Sequence, residues 1–317
     1  MKSFWKVTMV AVAVMCFAVV SLAHAEEQKE IGVMWIGKSA MPERVLKGML
    51  TALKGKAPNI KPDIKMALPD EETAAKVYAD FQKNKAAIVF LRSTGTKFMG
   101  KNPPSIPAFV GATSNPVELG AMKDMNKPDA NITGVTYYLP AAQHFAIYRK
   151  LFPNMKTVAL IVEKGHPSTA VDVAETKAEC ETAGIEFIVK ECVAKEDVAK
   201  AAAEVKEKAD LIILGNQGLV IDNAALAAMV AGNKPIAAYA EKPVTQKVAM
   251  VGLAVDDEKL GEMLGDSVID VVNNGKAVAD VPVKTDTEPR LLINKAKAEA
   301  MGISIPDDIK AKATMIE

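Results

Sequence analysis

Two hydrophobic periods alternate along the chain. Apolar runs of strand length occur at 31–36 (IGVMWI), 64–68 (IKMAL), 86–91 (AAIVFL) and 107–112 (PAFVGA). A second series follows at 157–162 (TVALIV), 186–191 (EFIVKE), 210–215 (DLIILG), 235–240 (PIAAYA) and 248–253 (VAMVGL). Several are unbroken Val/Ile/Leu runs, the pattern of parallel strands covered on both faces. Between them the period lengthens to that of amphipathic helices, at 43–53, 71–83, 141–151, 168–183, 196–206 and 258–272. Strand and helix in alternation predict an α/β fold with parallel sheets.

The plan is written twice. Residues 70–95 and 194–218 share an acidic helix start, an Ala-rich helix, a buried strand and a polar Gly-containing loop. Residues 106–117 and 234–244 repeat the next unit, each with a proline at the strand start, at offsets of about 123 and 128 residues. Two Rossmann-like lobes are the simplest account. Ligands of open parallel sheets sit beyond the carboxyl ends of the strands, so the loops there can face each other across a cleft. In the first lobe those loops carry Ser39, then Ser93, Thr94 and Thr96, then Thr113, Ser114 and Asn115. In the second they carry Ser168, Asn216, Gln217 and Glu241. Such residues cap helix N-termini and leave backbone N–H groups facing the cleft, where a carboxylate or other oxygen-rich group could be held. Each is equally a turn former. Tyr137 and Tyr239 could turn a ring toward the ligand, and Trp35 could stack on a planar ligand or pack in the core. Arg92 could pair with a ligand carboxylate or serve between the lobes.

The N-terminus changes the compartment. Lys2 and Lys6 precede an apolar run from Val7 to Leu22, and Ala23-His24-Ala25 supplies the small residues of a cleavage site. Residues 1–25 read as a signal peptide, giving an exported, soluble, periplasmic protein. About 290 residues remain, enough for two domains. The chain has 39 basic and 39 acidic residues; losing Lys2 and Lys6 leaves 37 against 39, a net of −2. That balance gives no case for nucleic acid or an anionic membrane surface.

Catalytic signatures are absent. There is no nucleophile elbow, no dinucleotide fingerprint after a strand and no Cys/His cluster, so no enzyme, cofactor or metal is expected. The match of GVMWIGKS (32–39) to a phosphate loop is accidental, because its intervening residues are the first strand. His144 in a helix and His166 in a loop lack metal-ligand spacing, which points to surface or capping roles. Cys180 lies one helical turn before Gly184 and Cys192 about six strand residues beyond it, ~20 Å of extended chain. A disulfide needs Cα atoms within about 7 Å, so two free thiols are expected.

Two stretches carry a family resemblance. NITGVTYYLPAAQHFAIYRKLFPNMKTVALIVEKG (131–165) and EPRLLINKAKAEAMGISIPDDIKAKATMIE (288–317) resemble the crossover and C-terminus of substrate-binding proteins of ABC transporters. The family's better-known members bind aromatic amino acids, and others take different small solutes. The resemblance implies a type I periplasmic-binding fold, two lobes joined by crossover strands near 131–140, 248–254 and 286–293. Lobe 1 would comprise 26–134 plus 253–288, and lobe 2 135–252 plus 289–317. It further implies a monomer that captures an amino-acid-like or other small polar or aromatic solute and delivers it to an ABC permease and its ATPase. A binding subunit for a membrane sensor or chemoreceptor is the alternative, and a periplasmic α/β enzyme the third. The binding loops depart from the family: STGTKFM (93–99), Asn115 at a usually acidic position, and GNQ (215–217). Glu241 and Asp256 are left as candidate acceptors for a ligand ammonium.

Overall fold

The structure, a computed structural model, describes residues 27–317, so the signal peptide expected at 1–25 lies outside the described residues. The apolar runs of the first half become β1 (Lys29–Ile36), β2 (Ile60–Leu68), β3 (Ala87–Leu91), β4 (Ala108–Gly111) and β5 (Ile132–Gly134). They form one parallel sheet in the order β2-β1-β3-β4-β5. Every residue of β3, Ala-Ile-Val-Phe-Leu, is buried, as its unbroken apolar pattern requires of a central strand. The helices between them are α1 (Ala40–Lys56), α2 (Glu71–Asn84) and α3 (Arg92–Lys101). Asp70 starts α2 by accepting a hydrogen bond from the Thr73 amide at 2.7 Å. Side chains of β1 alternate between two cores: Ile31, Val33 and Trp35 pack on one face of the sheet and Met34 on the other. The GVMWI of the phosphate-loop match is therefore strand.

The second half builds a seven-stranded sheet from β6 (Thr157–Glu163), β7 (Glu186–Cys192), β8 (Leu211–Leu214), β9 (Ile236–Ala238), β10 (Val251–Ala254), β11 (Arg290–Asn294) and β12 (Ala313–Ile316). Its order is β12-β11-β10-β9-β8-β6-β7. The run β2-β1-β3-β4 is thus matched by β7-β6-β8-β9, and the internal echo of the sequence is an echo of topology. Around this sheet lie α4 (Ala141–Leu151), α5 (Thr169–Ala183), α6 (Lys195–Val205), α7 (Gly218–Asp222), α8 (Ala224–Ala231) and α9 (Lys242–Thr245). After β10 the chain returns to the first sheet as α10 (Asp257–Val272), which lies against α1. That contact is close because both sides are glycine. A Cβ on Gly48 would stand 2.0 Å from the Glu258 carbonyl oxygen, and one on Gly261 2.1 Å from that of Val45.

One expectation needs correction. The second sheet is not wholly parallel, since β10 and β11 run antiparallel. β11 enters that sheet directly from the first lobe, without the crossover helix that would set it parallel to β10. The expected crossover ranges do hold strands, β5, β10 and β11. Their linking residues 136–140, 255–256 and 285–289 are irregular, with a bridge between Val135 and Lys284 beside them and a hydrogen bond from Thr285 Oγ1 to the Tyr138 carbonyl at 3.3 Å. The first crossing keeps backbone hydrogen bonds from Thr136 to Lys284 and from Tyr137 to Thr113. Cys180 and Cys192 are free, buried in separate cores. Among the described residues, no helix is long and apolar enough to cross a membrane.

Candidate functional site

A cavity of about 780 Å³ opens where the carboxyl ends of the two sheets meet. The first-lobe wall is rich in donors. Ser39 follows β1, and Ser93 sits in the first turn of α3. Ser93 Oγ accepts from the Ser114 amide at 3.0 Å and lies 3.4 Å from the Tyr137 hydroxyl. Leu91 stands at the N-cap of α3 and supplies no side-chain cap, so the first amides of that helix remain available. Arg92 adopts φ +74° and donates through Nη1 to the Ile36 carbonyl at 2.5 Å, which braces the loop after β1. A left-handed arginine is strained backbone, held here by that anchor.

The opposite wall is rich in acceptors. Asp172 lies in the first turn of α5 and borders the cavity. Its Oδ2 accepts from Gln217 Nε2 at 2.6 Å and from the Asn216 amide at 3.4 Å. Among the described residues no donor meets its Oδ1, and Asn216 Oδ1 is buried with no hydrogen bond. Burial raises the Asp172 carboxyl to about 7, against the lowering effect of the Gln217 and Asn216 bonds. Tyr239 and His144 complete this wall, ring centroids 4.5 Å apart. Burial pushes His144 down to about 3, so it is neutral at physiological pH. The surface or capping role expected for His144 is corrected, because α4 turns it inward to 4% exposure. His166 borders the cavity: its Nδ1 lies 2.9 Å from Ser168 Oγ and accepts from the Ser168 amide at 3.2 Å, and burial with Arg92 nearby lowers its pKa to about 4.

The mouth is charged but internally paired. Arg290 bonds Glu241 and lies 3.5 Å from Asp256, while Arg44 holds Asp257 at 2.7 Å and Lys242 holds Asp222 at 2.7 Å. Asp256 Oδ1 also caps α10, accepting from the Glu258 and Lys259 amides at 2.9 and 3.1 Å. Of the cavity's cations, Lys38 and Arg92 have no carboxylate within ion-pair reach among the described residues.

Of the residues singled out in the sequence, Ser39, Ser93, Ser114 and Tyr137 border the cavity from the first lobe and first crossing. Asn216, Tyr239, Glu241 and Asp256 border it from the other side. The rest lie behind. Trp35 is fully buried in the core between the first sheet, α1 and α10, which is its packing role and not stacking on a ligand. Thr96 and Thr113 bond each other at 2.8 Å, and the Thr94 hydroxyl is buried within α3. Asn115 accepts from the Val117 amide at 3.0 Å to shape its own turn. Ser168 and Gln217 bond each other at 3.1 Å and support Asp172 from behind. Nothing in the local pattern singles out Asp172, because an acid in the first turn of a helix is ordinary dipole complementation. Glu175, one turn later, is taken up by the Tyr138 hydroxyl and the Ala141 amide.

Comparison with known proteins agrees with this architecture. The family model for ABC transporter substrate binding proteins matches residues 30–316. A tyrosine-binding protein of Clostridioides difficile is 27% identical over 284 residues, covering 87% of this chain and 82% of that protein. Among solved structures, a Streptococcus pneumonia ABC domain in complex with L-Trp superposes with a TM-score of 0.80 at 22% identity, over 92% of this chain and 100% of that one. A ligand-free, open substrate-binding protein from Clostridium difficile gives 0.73 at 21% identity, over 91% and 99%. The fold is that of type I periplasmic-binding proteins, and the chain belongs to the ABC transporter substrate-binding protein family.

Proposed function

We propose that this chain is an exported monomer that binds a free amino acid with an aromatic side chain and delivers it to an ABC permease and its ATPase. The observation that carries this reading is the polarity of the cavity. Unfilled acceptors on one wall, Asp172 Oδ1 and Asn216 Oδ1, suit an ammonium group. The uncapped start of α3, with Ser93, Lys38 and Arg92 on the facing lobe, suits a carboxylate. Tyr137, Tyr138 and Tyr239 offer ring surface between them. A zwitterion satisfies both walls at once, whereas a neutral sugar would leave Asp172 without a counter-charge. The tyrosine-binding relative and the L-Trp complex of the structural neighbour favour the same class. Export rests on the signal peptide read at 1–25.

Isothermal titration calorimetry and thermal melting against the proteinogenic amino acids and common sugars test this. L-tyrosine or L-tryptophan is expected to bind and to raise the melting temperature. Stabilisation by a sugar, with none by any amino acid, would overturn the reading.

A further inference from the structure

The inner end of the second-lobe wall holds polar groups that an α-ammonium does not use. His144 is 4% exposed and its Nδ1 is buried with no hydrogen-bond partner among the described residues, although its ring borders the cavity. One turn along α4, Tyr148 is 1% exposed and its hydroxyl is equally unpartnered. Buried groups in this condition are costly and uncommon in native structures.

Tyr239 adds an acceptor, by proton accounting. Thr176 Oγ1 donates its single proton to the Asp172 carbonyl oxygen at 2.6 Å. The 2.8 Å contact between Thr176 Oγ1 and the Tyr239 hydroxyl therefore runs from Tyr239 to Thr176. With its own proton committed, the Tyr239 oxygen has lone pairs that nothing among the described residues fills. His144 lies against this ring at 4.5 Å, tilted by 54°. Either tautomer of its imidazole offers the cavity a hydrogen-bonding edge that a hydrocarbon cannot use.

We propose that His144 and Tyr239 form a second hydrogen-bonding station in the cleft, which selects a ligand side chain ending in O–H or N–H over the same side chain ending in hydrocarbon. This rests on the amino-acid reading above and assigns the side-chain end, where Asp172 and Asn216 take the ammonium. Sites that hydrogen-bond a ligand group discriminate strongly against the analogue lacking it, because their own polar atoms are then left unpaired.

L-tyrosine and L-phenylalanine differ by one hydroxyl and provide the test. Calorimetry is run with both on the wild-type protein, on Tyr239→Phe and on His144→Leu. Wild type is expected to favour L-tyrosine by about three- to tenfold, the worth of one net hydrogen bond. In both variants that ratio is expected to fall toward one. Should His144→Leu fail to fold, Tyr239→Phe decides, since it removes a single oxygen. Equal wild-type affinities, or a ratio unchanged in Tyr239→Phe, would overturn the station and leave the amino-acid reading intact. Failure of every amino acid to bind would overturn both.

Discussion

Two sets of carboxylates share this cleft, and they differ in what they have left to give. At the mouth, Glu241 and Asp256 flank Arg290, Asp257 is held by Arg44, and Asp222 by Lys242. On the inner wall, Asp172 meets only the Gln217 side chain and the Asn216 amide, with no cation in reach among the described residues. Mouth acids already paired with a cation gain little from a ligand ammonium. A carboxyl that burial has raised to about 7 gains much, because the ligand supplies the counter-charge the fold withholds. Availability, not the number of acids, identifies the binding group.

Asp172→Asn breaks the contrast most severely. Removing one partner of a buried, hydrogen-bonded charge pair costs about 2–5 kcal/mol, so amino-acid affinity is expected to fall by about a hundredfold or more in calorimetry. The second effect is pH dependence. Ammonium binding needs ionised Asp172, so wild-type affinity should be full above pH 7 and weaken as pH falls, by at most about tenfold per unit. Asp172→Asn should flatten that profile.

The same shift has a stability consequence with a definite sign. Between the ordinary aspartate value of 3.8 and about 7, the folded protein keeps a proton that the unfolded chain has lost. Stability is therefore lost as pH rises through that window, and the cost is fully present above it, on the order of a few kcal/mol. Asp172→Asn should raise the melting temperature of the ligand-free protein at pH 8 by several degrees, with the gain vanishing near pH 4. Glu241→Gln is the mildest change. Its partner Arg290 is partly exposed and retains Asp256, so affinity is expected to move by no more than about threefold.

Much of the fold was legible because it rests on local patterns. The unbroken apolar run of β3 and the Asp70 start of α2 are visible in a short window, and the repeat of helix, strand and loop reported two lobes. The site was less legible, because it depends on which way a side chain turns. Trp35 and Ser39 stand four residues apart at one strand end, yet the pleat sends Trp35 into the core and the loop sends Ser39 into the cleft. Thr94 and Thr96 follow β3 like loop residues in the sequence but are helical, and their hydroxyls are buried against protein. Glu241 and Asp256 looked available because Arg290 is distant in sequence from both. Asp172 looked like a helix-start acid, and only the partners gathered around it in three dimensions mark it out. The antiparallel β11 escaped for a similar reason, since strand direction follows from the route of the chain between lobes and not from the strand's own residues.

The most direct test is a crystal structure of the protein with L-tyrosine bound. We expect the ligand's ammonium nitrogen about 3 Å from Asp172, with the Arg290 pairs to Glu241 and Asp256 still in place. An ammonium seated instead on Glu241 or Asp256, with Arg290 displaced and Asp172 out of reach, would contradict the central claim.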